Sequence, residues 1–269
     1  MRALCLVLVL VLLAACAGAE AMPAAQSASA KPDIDLGLVP GESMAFEVRL
    51  AGILAGEAQL AVGEIGMVDG HRAVVVKSRA ATAGAAALIK RITDEATTVI
   101  DVDTGHPLSL ETAVDLGGKQ TFATATFAGR IANVTYRRSD EPTPHATRID
   151  FHTEALHDTH SAMAALRGWR AAPGTQRTVY VVGGRRLWRV DMTFVGTETI
   201  GTAVGGNRRA VIFDGSSYRA RRDLSIESNK PARTFRVWLS DDADRVPLKV
   251  TAKTELGDVV MDLTEYNRP

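Results

Sequence analysis

Apolar and polar residues alternate along most of the chain beyond residue 38. Met44, Phe46, Val48 and Leu50 alternate with Ser43, Ala45, Glu47 and Arg49. A period of two predicts a strand with one buried face. Residues 57–62 and 73–79 repeat the pattern around a turn at Asp69-Gly70. Residues 92–101, 108–116, 120–127 and 131–137 continue it, separated by Asp103-Thr104-Gly105-His106-Pro107, Gly117-Gly118 and Ala128-Gly129. The Gly-bounded stretch 51–56 predicts a turn or bulge. Residues 82–89, with alanine at 83, 85, 86 and 87, fit a helical turn or a close-packed loop. In the second half, residues 177–182, 186–195, 198–204, 209–214, 225–229, 234–240, 246–255 and 259–266 are the strand candidates.

Only one segment shows clear helical spacing. At about 158–168, Ala162, Ala165, Leu166 and Trp169 fall on one face. Asp158 suits the N-cap, Ser161 lies in the first turn, and Gly168 stands near the end. Strand spacings near ten residues and the lack of βαβ units predict a mainly β fold. The expected form is an antiparallel sheet curved into an incomplete barrel or sandwich, with one mid-chain helix and a single domain over 38–269.

The alternation fails at the start of the chain. After Met1-Arg2, residues 3–14 are apolar throughout. That length suits a secretory leader and falls short of the roughly 20 residues of a membrane span. The run ends in Leu13-Ala14-Ala15-Cys16, which resembles the lipobox of bacterial lipoproteins. The resemblance implies a leader over 1–15 and acyl chains such as palmitate on Cys16, which would anchor the chain to a membrane. Cleavage near Ala17-Gly18-Ala19 is the rival, and the Leu-Ala-Ala-Cys order favours the lipobox. Ala17, in place of an aspartate, favours by analogy the periplasmic face of the outer membrane. Residues 16–37 are Ala/Ser/Pro-rich and predict a flexible tether.

Composition narrows the function classes. The chain has 269 residues, 31 Lys+Arg and 31 Asp+Glu. A net charge of zero gives no support to nucleic acid as a partner. The two cysteines are Cys5 and Cys16. A processed and acylated chain would hold no free thiol, hence no cysteine nucleophile and no cysteine-based zinc site.

Candidate chemistry is sparse. His152, Glu154, His157, Asp158 and His160 form the one dense group of nitrogen and oxygen ligands, without HExxH spacing. Ser161 beside His157 and Asp158 can be drawn as a triad, but neighbours in sequence rarely converge that way, and helix capping accounts for them. GxSxG, GxGxxG and P-loop patterns are missing. Asp241, Asp242 and Asp244 fit a solvated turn, since the twelve-residue calcium loop is not present. Arg185, Arg186, Arg189, Arg208, Arg209, Arg219, Arg221 and Arg222 suit a solvated surface, with lipid phosphates as the rival. Trp169, Trp188 and Trp238 suit core or rim. No catalytic residue, metal ligand or cofactor is expected; the site expected is Cys16.

The chain also resembles the DUF3108 family of exported bacterial proteins. The matching residues are Gly41-Glu42, Gly52-Ile53-Leu54-Ala55-Gly56-Glu57, Leu156-His157-Asp158-Thr159-His160-Ser161 and Leu166-Arg167. They continue with Trp238-Leu239-Ser240-Asp241-Asp242, Arg245-Val246-Pro247-Leu248 and Leu256-Gly257. The resemblance implies an envelope protein of mainly β fold and implies no activity. Its general shape is similar to half-open barrels that hold lipids or acyl chains. The expectation is a non-enzymatic lipoprotein that binds a lipid or acyl group on a curved sheet. The alternatives are an interaction module of an envelope assembly, with a protein partner, and a hydrolase or metalloenzyme around 152–161.

Overall fold

The computed structural model describes residues 36–151 and 156–269. The leader, Cys16 and the tether as far as residue 35 lie outside the described residues, as do His152 and Glu154.

Sixteen strands form one sheet. The first half holds β1 (Ser43–Leu50), β2 (Ile53–Val62), β3 (Gly66–Val68), β4 (His71–Thr82), helix α1 (Gly84–Ile89), β5 (Ile92–Asp101), β6 (Pro107–Leu116), β7 (Gln120–Ala128), β8 (Ile131–Arg138) and β9 (His145–Asp150). The second half holds β10 (Leu156–Asp158), helix α2 (Thr159–Gly168), β11 (Gln176–Gly183), β12 (Arg186–Gly201), β13 (Asn207–Ala220), β14 (Arg233–Ser240), β15 (Pro247–Thr254) and β16 (Gly257–Asn267). The spatial order is β10-β11-β12-β13-β14-β15-β16-β1-β2-β4-β5-β6-β7-β8-β9, with β3 paired to β4. Among the described residues, only β10 and β11 run parallel.

The sheet curls into a barrel that backbone hydrogen bonds do not close. Across the seam, side chains do the joining. Leu110, Val134, Ile149 and Phe151 from one flank pack with Val182, Leu187 and Ala220 from the other. Arg222 Nη2 donates to Thr147 Oγ1 at 2.8 Å. The larger core lies between β1, β2, β4 and β5 on one side and β12 to β16 on the other.

Antiparallel order places the connections at two ends. The β1–β2, β4–β5, β6–β7 and β15–β16 links share one, here termed the α1 end. The β5–β6 and β14–β15 links share the opposite one.

Three local readings need correction. Leu36 and Gly37, assigned to the tether by composition, are buried. A Cβ on Gly37 would meet Ala164 O at 2.0 Å and Gly168 N at 2.6 Å, so this segment lies directly on α2. Residues 186–195 and 198–204 are not two strands: β12 runs through to Gly201, with a bulge between Phe194 and Gly196 that mimics a break in the alternation. Residues 225–229 form no strand; a single bridge joins Ala220 and Ile226. The stretch 51–56 carries both a turn, at Ala51-Gly52, and a bulge, at Ala55, where the β1–β2 register shifts between Val48 and Arg49, as its glycines predict. The Ala-rich stretch after β4 forms the short helix α1.

Candidate functional site

Helix α2 lies against the inner face of the sheet and is held at both ends by buried polar groups. At its start, Asp158 is the N-cap, and its carboxylate accepts from Ser161 N at 2.9 Å and His160 N at 3.3 Å. Ser161 Oγ donates to Asp158 Oδ1 at 2.6 Å and accepts from Asp158 N at 3.0 Å, which completes a capping box. Thr98, on β5, donates its hydroxyl to Asp158 Oδ2. That leaves Thr98 Oγ1 to accept from His160 Nδ1 at 2.6 Å. This network assigns the His160 proton to Nδ1. Its Nε2 is then a buried lone pair with no partner among the described residues. Burial holds the His160 imidazole below its ordinary pKa, against the pull of Asp158.

His157 Nδ1 lies 3.2 Å from Ser161 Oγ, and its ring stacks on His106 at 5.2 Å. Burial, then His106 and Arg177, push its pKa down to about 4, with Asp158 opposing. Ser161 is wholly buried, and its proton goes to Asp158 rather than to an imidazole. The three residues drawn as a triad from sequence are therefore brought together as a helix cap. Among the described residues, no group of three His, Cys, Asp or Glu side chains is placed to hold a metal ion.

At the other end of α2, Arg167 is also wholly buried. Its Nη1 donates to Glu42 Oε1 at 2.5 Å and its Nη2 to Glu42 Oε2 at 2.9 Å. Nε and Nη2 both reach Asp244 O, at 3.2 and 2.9 Å. Glu42 also accepts from Val39 N and from Tyr266 Oη. Burial, Glu42 and Asp244 push the Tyr266 phenol up. Such a bidentate pair joins the start of β1, the middle helix, the β14–β15 turn and the last strand. Asp241, Asp242 and Asp244 do form a turn, but Asp244 supplies it with a second use through its carbonyl.

Between these two clamps lies an apolar cavity of about 150 Å³. Ala162, Met163 and Leu166 of α2 form its roof. Met44, Phe46, Leu60, Met192, Phe235, Val237 and Met261 form much of the floor. Four of the chain's seven methionines line it. Phe235 and Met192 reach it because β13 carries Gly215: a Cβ there would lie 2.3 Å from Phe235 Cζ and 2.7 Å from Met192 Sδ. A cavity of this size and lining offers no polar partners to hold a water. Methionine walls adapt to apolar molecules.

A second concavity, of about 850 Å³, lies along β11 to β16 and is lined by charged, polar and apolar groups together. Asp214 and Arg236 pair in it at 2.6 and 2.7 Å, and Arg189 and Asp191 at 2.9 Å. Trp238 stands on its wall, half-buried, whereas Trp169 and Trp188 are core residues. Of the arginine clusters, Arg186, Arg189 and Arg219 are half-buried, and burial beside Arg185 and Arg219 lowers Arg186 to about 10.

An open antiparallel barrel with one helix against its inner wall is the class of fold. The chain belongs to the DUF3108 family, described as protein of unknown function, whose model matches residues 45–264. A beta-barrel-like protein of the domain of unknown function DUF1849 from Brucella abortus shares the fold, with a TM-score of 0.55 at 11% identity, over 86% of this chain and 98% of that one. The lipoprotein LppX of Mycobacterium tuberculosis aligns over 84% of this chain and 87% of its own at 12% identity, with a TM-score of 0.28, too distant to carry an argument. No curated protein matches this sequence.

Proposed function

We propose that this chain is a lipoprotein of the bacterial envelope, held on the periplasmic face of the outer membrane by acyl chains on Cys16. It binds a hydrophobic ligand, a lipid or an acyl group, beneath α2 and catalyses no reaction. The methionine-walled cavity between α2 and the sheet carries this reading. The saturated hydrogen bonds of buried Ser161 and Asp158 support a structural role for the residues most open to a catalytic one.

Native mass spectrometry of the full chain extracted from membranes tests it. Bound lipid masses are expected, and Met163→Trp, which fills the cavity, removes them. A clean apo mass, with no lipid transfer between liposomes, sinks the proposal. The charged concavity on β11 to β16 favours a second reading, an interaction module with a protein partner. Crosslinking in cells would then recover one partner, lost on Asp214→Arg.

A further inference from the structure

We propose that the α1 end of the barrel docks on the surface of a lipid bilayer through Ile53, Leu88, Ile89 and Leu256. Leu88 is 90% exposed, Ile89 84%, Ile53 65% and Leu256 47%. Strands β15, β16, β1, β2 and β4 are consecutive in the sheet, so the turns carrying these residues stand side by side. A Cβ on Gly257 would lie 3.2 Å from Ala51 Cβ, and one on Gly84 would lie 3.3 Å from Leu54 O. The three connections that carry the four residues therefore form one patch.

Nothing in the fold itself explains α1. It buries none of its six residues and has no acidic residue in its first turn. A helix that rests on β2 through its small residues yet turns Leu88 and Ile89 outward has an external partner to meet. At the opposite end, Met67 is the comparable exposed side chain.

The surroundings define the chemistry of the partner. Lys90 and Arg91 follow α1 directly. The Lys90 stem runs beside the β6–β7 turn, where Cε lies 3.3 Å from the Cβ position of Gly117, and Lys119 follows in that turn. Lys119 pairs with Asp140 at 3.6 Å, and Glu255 and Asp258 flank Leu256, so the basic flank is Lys90-Arg91 beside the Leu88-Ile89 tip, and this side fits acyl chains under anionic headgroups.

The proposed anchor allows it too. The described chain begins at Leu36, which lies beside Gly105, His106 and Gly168 at the opposite end. Cys16 to Asp35 is 20 residues. Such a segment reaches at most about 70 Å, while an eight-residue strand such as β1 spans about 27 Å. The tip can therefore meet the bilayer that holds the anchor.

The test uses the full chain on phosphatidylglycerol/phosphatidylethanolamine vesicles whose acyl chains are brominated. Leu88→Trp and Leu256→Trp report the α1 end, and Met67→Trp the opposite end. Quenching of the added tryptophan is expected to be at least threefold greater at 88 and 256 than at 67. Lys90→Glu with Arg91→Glu is expected to abolish that excess. Equal quenching at all three positions overturns the proposal. So does a concentration-dependent dimer in sedimentation without lipid that Leu88→Lys dissociates, since the patch would then meet a second copy.

Discussion

The two ends of α2 are equally buried and are built by opposite means. At Arg167 the helix is held by full charges, a guanidinium against a carboxylate with a backbone carbonyl added. At Asp158 one carboxylate is shared among a hydroxyl pair and two backbone N–H groups, next to imidazoles kept neutral by burial. The Arg167 end has one partner that cannot lose its charge over ordinary pH. At the Asp158 end, burial holds both histidines below their ordinary pKa, so charging either one costs stability. The contrast makes one clamp fixed and the other titratable.

The largest effect is expected at the fixed clamp. Arg167→Met leaves Glu42 buried and uncompensated, a loss of about 3–5 kcal/mol. Urea unfolding should register it, and adding Glu42→Gln should restore most of it. If Arg167→Met alone left the midpoint unchanged, the clamp would not be holding α2.

The titratable clamp comes next. His157 has its folded pKa depressed to about 4 from 6.5. Its contribution is present above pH 6.5 and is lost as pH falls toward 4, up to about 3 kcal/mol below that range. Thermal melts between pH 7 and 4 should show the fall, and His157→Gln should flatten it. A slope unaltered by that substitution contradicts the assignment.

Removing the cap should cost less. Asp158→Ala forfeits the capping bonds and strands the Thr98 hydroxyl, about 2 kcal/mol in chemical denaturation. Ser161→Ala, which keeps the carboxylate, should cost less than Asp158→Ala; the reverse order would make Ser161 the centre of the cluster.

The smallest effect sharpens the comparison from outside α2. Asp94 shares the face of β5 that carries Ile92 and Thr98, and burial followed by Glu95 raises it to about 7. A raised acid works in the other direction: its folded state prefers the proton, so stability falls as pH rises from 3.8 through 7. Asp94→Asn should stabilise at pH 8 by about 1 kcal/mol, because the group keeps partial contact with water, and should change nothing below pH 4.

Strand alternation and the cap at Asp158 could be read from residues because both are local. Side-chain period and the Asp158–Ser161 spacing need no knowledge of distant partners. The Glu42–Arg167 pair could not, since 125 residues separate its members and charged residues are ordinarily solvated. The family resemblance picked out Gly41-Glu42, Leu166-Arg167 and the run ending at Leu248 as separate blocks; the structure brings the first two together beside Asp244. The cavity was also hidden, because Met44, Met163, Met192 and Met261 converge only through register and through the space that Gly215 leaves open. Leu36 and Leu38 sit in Pro-, Asp- and Gly-containing sequence, which masks their packing on α2.

The pairing of β1 with β16 has a consequence for how the chain folds. Ser43 opposes Asn267, so the middle of the sheet joins the first strand to the last. Contacts of such sequence separation carry a high loop-closure cost and make folding slow. No N-terminal fragment, however long, can form this central ladder until the final strand has been made. Until β16 is made, the partly synthesised chain is therefore left without its central pairing.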